Sequence, residues 1–155
     1  MTQDEELIWQ ALIAFMVIYF GLIVVVGLVV YVVMAITLSL FFRKVGVEVW
    51  IAWVPVYGYW KWLEVGGFNG AIALLMLIPG ASIVTAVFLY IAMYRIGFAF
   101  RKDTSWVVLG VFLAPVWCYL LSRDTESYTP ALQSAAGFPP LAGSGARPAA
   151  PPTAA

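Results

Sequence analysis

The chain has 155 residues, of which 64% are hydrophobic and only 10% charged. A soluble domain carries about a quarter of its residues as charges, so lipid has to replace the water that this surface could not hold. The 8 basic and 8 acidic residues cancel, which excludes the basic footprint of a nucleic-acid binder. Histidine is absent and Cys118 is the single cysteine. That removes intrachain disulfides, Cys/His zinc sites and His-based triads, and no metal or cofactor is expected. Cys118 lies in an apolar run and reads as a small buried hydrophobe.

Residues 1–10 form an acidic N-terminal segment, with Asp4, Glu5 and Glu6 where a signal peptide would be basic; the segment is expected to be retained. Residues 11–128 are expected to form a transmembrane domain. Its first span, 11–42, carries no charge, and its strongest polar groups are Thr37 and Ser39. Crossing a bilayer takes about 20 helical residues, so this run exceeds one crossing and falls short of two. One long, tilted helix ending at Arg43-Lys44 is the simplest solution.

Residues 46–65 differ in texture. Four of the 7 tryptophans, Trp50, Trp53, Trp60 and Trp62, fall here, together with Glu48, Lys61 and Glu64. Indole rings favour the headgroup layer, so the stretch reads as interfacial amphipathic helices joined at Pro55, with the tryptophans as anchors. Lys61 and Glu64, three residues apart, can pair. Gly66 and Gly70 make a G-x-x-x-G spacing, which packs helices closely or serves as a flexible entry turn.

The second span, 70–100, is broken by Pro79-Gly80, and its first arm is only half a bilayer deep. A kinked single crossing is expected, with a hairpin as the alternative. Arg95 is an intramembrane or interfacial charge near the segment's end, placed to snorkel; a pair with Glu64 would require the hairpin. The third span, 105–122, contains Pro115. From residue 129 to 155 the chain is rich in Pro, Ala and Gly, and a disordered tail is expected because so little apolar area is available for burial.

Arg43-Lys44 and Lys61 follow the first span and only acids precede it. The positive-inside rule then puts the N-terminus outside and the C-terminus in the cytoplasm. Three crossings leave Arg101-Lys102 outside, against the rule. The intervals Gly46–Pro55, Gly70–Pro79 and Trp106–Pro115 are equal. They read either as a repeated half-helix broken near mid-membrane or as coincidence among residues common in membrane helices. Ser39 and Lys44 are five apart without a supporting motif, so no Ser–Lys catalytic dyad is read there.

The stretch from Phe42 through Pro55-Val56-Tyr57 is followed by Leu77-Ile78-Pro79, Phe98-Ala99-Phe100-Arg101-Lys102 and Gly110-Val111-Phe112-Leu113-Ala114-Pro115. Over Phe42 to Tyr119 this order resembles an uncharacterised bacterial multi-pass membrane family, a domain of unknown function some of whose members occur near signal peptidase. Gly58 stands where the family usually has asparagine, and Ala114 interrupts the last motif. The resemblance implies no catalytic machinery. The sequence therefore predicts an all-α membrane protein with about three transmembrane helices. It would be a non-enzymatic accessory or scaffold of the plasma membrane, with the lipid bilayer and a membrane-protein partner or second copy as its partners. The alternative is a small transporter or lipid-binding protein using helices broken at Pro55, Pro79 and Pro115.

Overall fold

In the computed structural model the described residues are 2–147, and among them there are helices and turns but no strand. The first helix, α1 (Gln3–Val45), has 43 residues, or about 65 Å at 1.5 Å per residue. Its composition explains why it is continuous. A run this apolar has to satisfy each backbone N–H and C=O within itself once water is excluded. Asp4, Glu5 and Glu6 occupy the first turn and Arg43 and Lys44 the last, each charge opposing the helix dipole.

The chain divides into two units, Met1–Val33 and Met34–Ala155. In the first, the described side chains up to Val30 are all exposed, among them Leu12, Phe15 and Ile18. In the second, the last turns of α1 bury Ala35, Leu38, Phe41, Phe42 and Val45. Among the described residues two helices, α1 and α3 (Ser82–Ala99), are long and apolar enough to cross a membrane.

Beyond Val45 the second unit is built from three successive hairpins. The first pairs a 3₁₀ helix, Val49–Trp53, with α2 (Pro55–Val65); Gly58 lies against Ile51 and Ala52, and Trp50 faces Tyr57 with ring centres 6.0 Å apart. The second pairs the 3₁₀ helix Gly70–Leu77 with α3. The Thr85 hydroxyl donates to the Ile72 carbonyl at 2.9 Å, and Phe68 meets Phe88 edge to face at 5.0 Å. The third pairs α4 (Ser105–Phe112) with α5 (Ala114–Arg123). Gly110 sits under the Trp117 ring, and Lys102 before α4 reaches Asp124 after α5.

Each hairpin turns next to a proline, and each apex satisfies its own backbone in the same way. Val54 N–H donates to Ile51 and its carbonyl accepts from Gly58; Ile78 does the same with Leu75 and Ala81, and Leu113 with Leu109 and Trp117. One residue thus closes the helix before the break and opens the helix after it. That lets an apolar apex be presented to lipid without orphaned polar groups. Val54, Leu77, Ile78, Ile83, Phe112 and Leu113 are exposed there.

The structure departs from three expectations. Segment 70–100, expected as a kinked single crossing, is not one kinked helix but a hairpin whose arms run antiparallel, with Thr85 bonded to Ile72 and Phe88 against Phe68. Segment 105–122 is not one continuous span, because Leu113 (φ −138°, ψ 59°) leaves helical geometry ahead of Pro115 and the chain returns. The tail, expected to be disordered from 129, is structured as far as 147. There α6 (Pro130–Ala135) and a 3₁₀ turn, Ala142–Ser144, pack on the unit with Gln133 and Ser144 buried. Compositional scarcity was a poor guide because a few residues, Tyr128, Gln133 and Phe138, do the packing. Residues 148–155 of that predicted tail lie outside the described residues.

The core of the second unit is aromatic. Phe41 lies 6.3 Å from Trp62, 6.3 Å from Phe100 and 5.7 Å from Trp117, and Trp62 stacks on Trp117 at 6.0 Å. Trp62 is therefore a core residue, 1% exposed, and not an interfacial anchor. Gly66 and Gly70 act through close packing and not as a loose entry turn. A Cβ on Gly66 would come within 2.8 Å of the Ala92 Cα, and one on Gly70 within 2.1 Å of the Trp60 ring.

Gly66→Ala should lower stability by about 1–3 kcal/mol, since the obstacle is backbone that cannot swing away. Gly21→Ala, with nothing within 4 Å, should be neutral or slightly stabilising. Thermal unfolding in mild detergent reads both; an unchanged midpoint for Gly66→Ala would refute the close approach of α2 to α3.

Candidate functional site

Several charged residues of the second unit gather where the ends of α1, α3 and α5 meet. Asp124, just past α5, is the focus. Its carboxylate Oδ2 meets Lys102 Nζ at 2.5 Å, its Oδ1 accepts the Glu126 N–H at 3.1 Å, and its backbone carbonyl accepts from Lys44 Nζ. Arg101 extends the cluster toward Glu126 at 3.9 Å. Aromatic faces support the two lysines: Lys44 lies 5.5 Å from the Phe100 ring centre and Lys102 4.8 Å from that of Trp106. Burial works against the Asp124 anion. The hydrogen bonds from Lys102 and Glu126 and the charges of Lys102 and Lys44 outweigh it, and hold the carboxyl below its ordinary value. Nearby, burial pushes the Tyr128 phenol up.

Beside this cluster, between the C-terminal ends of α1 and α5, lies a cavity of ≈ 330 Å³ lined by Leu40, Arg43, Lys44, Ser122 and Arg123. Three of its five lining residues are cationic. A second, apolar hollow of ≈ 290 Å³ opens on the side of α3, lined by Val87, Tyr90, Ile91, Tyr94 and Val107.

Arg95 forms a separate centre. Its guanidinium lies 3.7 Å from the Phe68 ring centre and 4.6 Å from that of Phe138, and reaches the carbonyls of Gly66 and Gly67 at 3.5 and 3.4 Å. It does not pair with Glu64. That carboxylate takes Lys61 at 2.8 Å and the Trp60 indole N–H at 2.8 Å, as the spacing of Lys61 and Glu64 suggested. The hairpin does bring Arg95 back toward residues 64–67, but the near side of α2 is already occupied by Lys61. Phe138 instead arrives from the C-terminal segment, which is fastened across the same end of the unit. Gln133 Nε2 donates to the Val65 carbonyl at 2.8 Å, and the backbone N–H groups of Thr129, Leu141 and Arg147 donate to Ala99, Glu64 and Val45.

The remaining predicted residues are dispersed. Trp50 and Trp53 are exposed, and the Trp50 indole donates to Glu48 at 2.5 Å. Trp60 is half-buried against Gly70. Pro55, Pro79 and Pro115 mark the three apices. Ser39 donates to the Val49 carbonyl at 3.3 Å and Lys44 turns to Asp124, so the two share no site. Among the described residues no group of three His, Cys, Asp or Glu side chains is placed to hold a metal ion. The sequence reading missed Lys102–Asp124 and the roles of Gln133 and Phe138. The signals were there: a basic pair or single base ends each apolar segment, and Thr129-Pro130 announces a helix start.

The fold is that of an all-helical protein with two candidate membrane helices and a charged end where its hairpins close. The chain belongs to the family of unknown function DUF5684, whose model matches residues 50–130, just over half of its length. The matched stretch runs from the first hairpin to the start of α6 and fits the uncharacterised family that the motifs resemble. No curated protein and no solved structure matches the chain.

Because the Asp124 carboxyl sits low, its contribution is present above the ordinary carboxylate range, near pH 4, and is lost as pH falls through the folded-state value. Asp124→Asn should cost about 1–3 kcal/mol and flatten the acid side of the stability–pH curve. A variant with the wild-type profile would show that Asp124 does not hold the helix ends. Arg95→Lys keeps the charge but loses the planar contact with two rings, at about 0.5–2 kcal/mol. Hydrogen exchange at Leu141 N–H should accelerate; exchange as slow as in the parent would rule out the clamp.

Proposed function

We propose that this chain is a non-enzymatic accessory or scaffold protein of the bacterial plasma membrane, N-terminus outside and C-terminus cytoplasmic. In this reading α1 makes the full crossing and the three hairpins dip into the membrane from the cytoplasmic side. The observation that carries it is the common return point of the hairpins. A segment that ends on the side where it began changes no sidedness, whatever the depth of its apex. Arg43, Lys44, Arg101, Lys102 and Arg123 therefore share one face, which the positive-inside rule makes cytoplasmic. The Arg101-Lys102 conflict that three crossings would create disappears.

The first arms are short: Gly70–Leu77 has 8 residues and α4 has 8, or about 12–16 Å, half of a hydrocarbon core about 30 Å thick. Re-entrant backbone of this kind is tolerated where protein covers it or its polar groups are internally satisfied. Trp50 and Trp53 expose ring surface that can meet a membrane-protein partner, a second copy or the headgroup layer. The second reading, a small transporter or lipid-binding protein, is favoured by one observation, the cationic cavity at the ends of α1 and α5.

Topology tests the proposal. In a Cys118→Ala background, single cysteines at Asp103 and Gly143 should both be labelled only from the cytoplasmic side, and one at Thr2 only from outside. Labelling of Asp103 from outside would restore three crossings and overturn the re-entrant arrangement. For the scaffold role, crosslinking through the tagged chain in intact cells should recover one stoichiometric partner that Trp50→Ala and Trp53→Ala release. Recovery of only self-crosslinked chains with retained lipid would favour the second reading.

A further inference from the structure

The geometry points to the cavity between Arg43, Lys44, Ser122 and Arg123 as a binding site for the phosphate of an anionic phospholipid headgroup. This deepens the lipid-binding reading above and rests on it. The cavity of ≈ 330 Å³ lies at the lower end of the range for small-ligand sites, about 300–1,000 Å³. Its charge is uncompensated where it matters. The nearest acid, Asp124, is committed to Lys102 through its side chain and to Lys44 only through its backbone carbonyl. Among the described residues neither Arg43 nor Arg123 forms an ion pair, and the Arg123 guanidinium rests 5.8 Å from the Tyr119 ring centre. Two guanidiniums that end one helix each can hold a phosphodiester in bidentate fashion. The Ser122 hydroxyl, now donating to the Tyr119 carbonyl at 2.6 Å, can turn to a phosphate oxygen.

A lipid is favoured over a soluble phosphate because the cavity continues into an apolar track. Leu40 lines it, Ile36 lies one turn back on the same face of α1, and Tyr119 and Val116 lie one and two turns back from Arg123 along α5. Ile36, Tyr119 and Val116 are all exposed. A headgroup seated between the arginines would send its acyl chains along this track, at the level where the apolar run of α1 gives way to charge. Basic pockets between helices at the cytoplasmic surface hold anionic headgroups on the same principle.

The test is retention of added lipid by the delipidated full chain in mild detergent, read by native mass spectrometry. Phosphatidylglycerol and phosphatidylcholine are compared, with glycerol phosphate as a competitor. Detergent solution makes the result independent of which membrane face carries the site, so failure here is distinguishable from failure of the topology above. Wild-type chain should retain phosphatidylglycerol at least tenfold over phosphatidylcholine. Arg43→Gln with Arg123→Gln should abolish that preference, whereas Arg101→Gln, outside the cavity, should keep it. Both cavity arginines are exposed, and an unchanged helical circular-dichroism melt will confirm that the double variant folds. Equal retention of the two lipids, or a preference surviving the double variant, would overturn the site. Displacement by millimolar glycerol phosphate would overturn the lipid assignment in favour of a soluble phosphate.

Discussion

Asp124 receives lysines from two other segments, Lys44 at the end of α1 and Lys102 after α3, and its own position closes α5. Three helix ends that are far apart in sequence are thereby held at one level. In water such a cluster would contribute little. Here the lysines are backed by Phe100 and Trp106 and Asp124 is nearly buried, so the charges interact in a medium that screens them poorly. The same shielding makes the Lys102–Asp124 pair costly to break, because removing either one leaves the other charge without its partner.

The hairpins themselves rest on a backbone solution repeated three times. Proline forbids the helix from continuing, yet the freed groups do not go unpaired, since Val54, Ile78 and Leu113 each donate backward and accept forward. An apolar apex can then face lipid. This is the physical content of the equal Gly46–Pro55, Gly70–Pro79 and Trp106–Pro115 intervals, which alone could not be told from coincidence. The first arms differ in winding, two 3₁₀ and one α, so the repeat lies in the placement of the break and not in the local helix type.

The C-terminal segment adds a strap to this base. Phe138 and Phe68 sandwich Arg95, and Gln133 caps the end of α2 by donating to Val65. An arginine with no acid beside it is stable there because two ring faces and two carbonyls replace its water. The cationic cavity at Arg43 and Arg123 is the contrasting case, with exposed guanidiniums that form no ion pair among the described residues.

The sequence by itself determined the class of solvent, the long first helix, the breaks at the three prolines and the pairing of Lys61 with Glu64. All of these follow from composition or from contacts within a few residues. It also placed Trp50, Trp53, Trp60 and Trp62 in one stretch, but could not separate the exposed pair from Trp62 in the core, because indole suits both places. Only the tertiary structure decided that the segments 70–100 and 105–122 fold back as helical hairpins. A proline in an apolar run is compatible with a kink or a reversal, and the choice lies in contacts such as Thr85 with Ile72 and Lys102 with Asp124. It likewise decided the fate of residues 129–147, where a few well-placed side chains outweigh a composition that argues for disorder. Long-range partners of this kind leave no periodic mark on a single sequence.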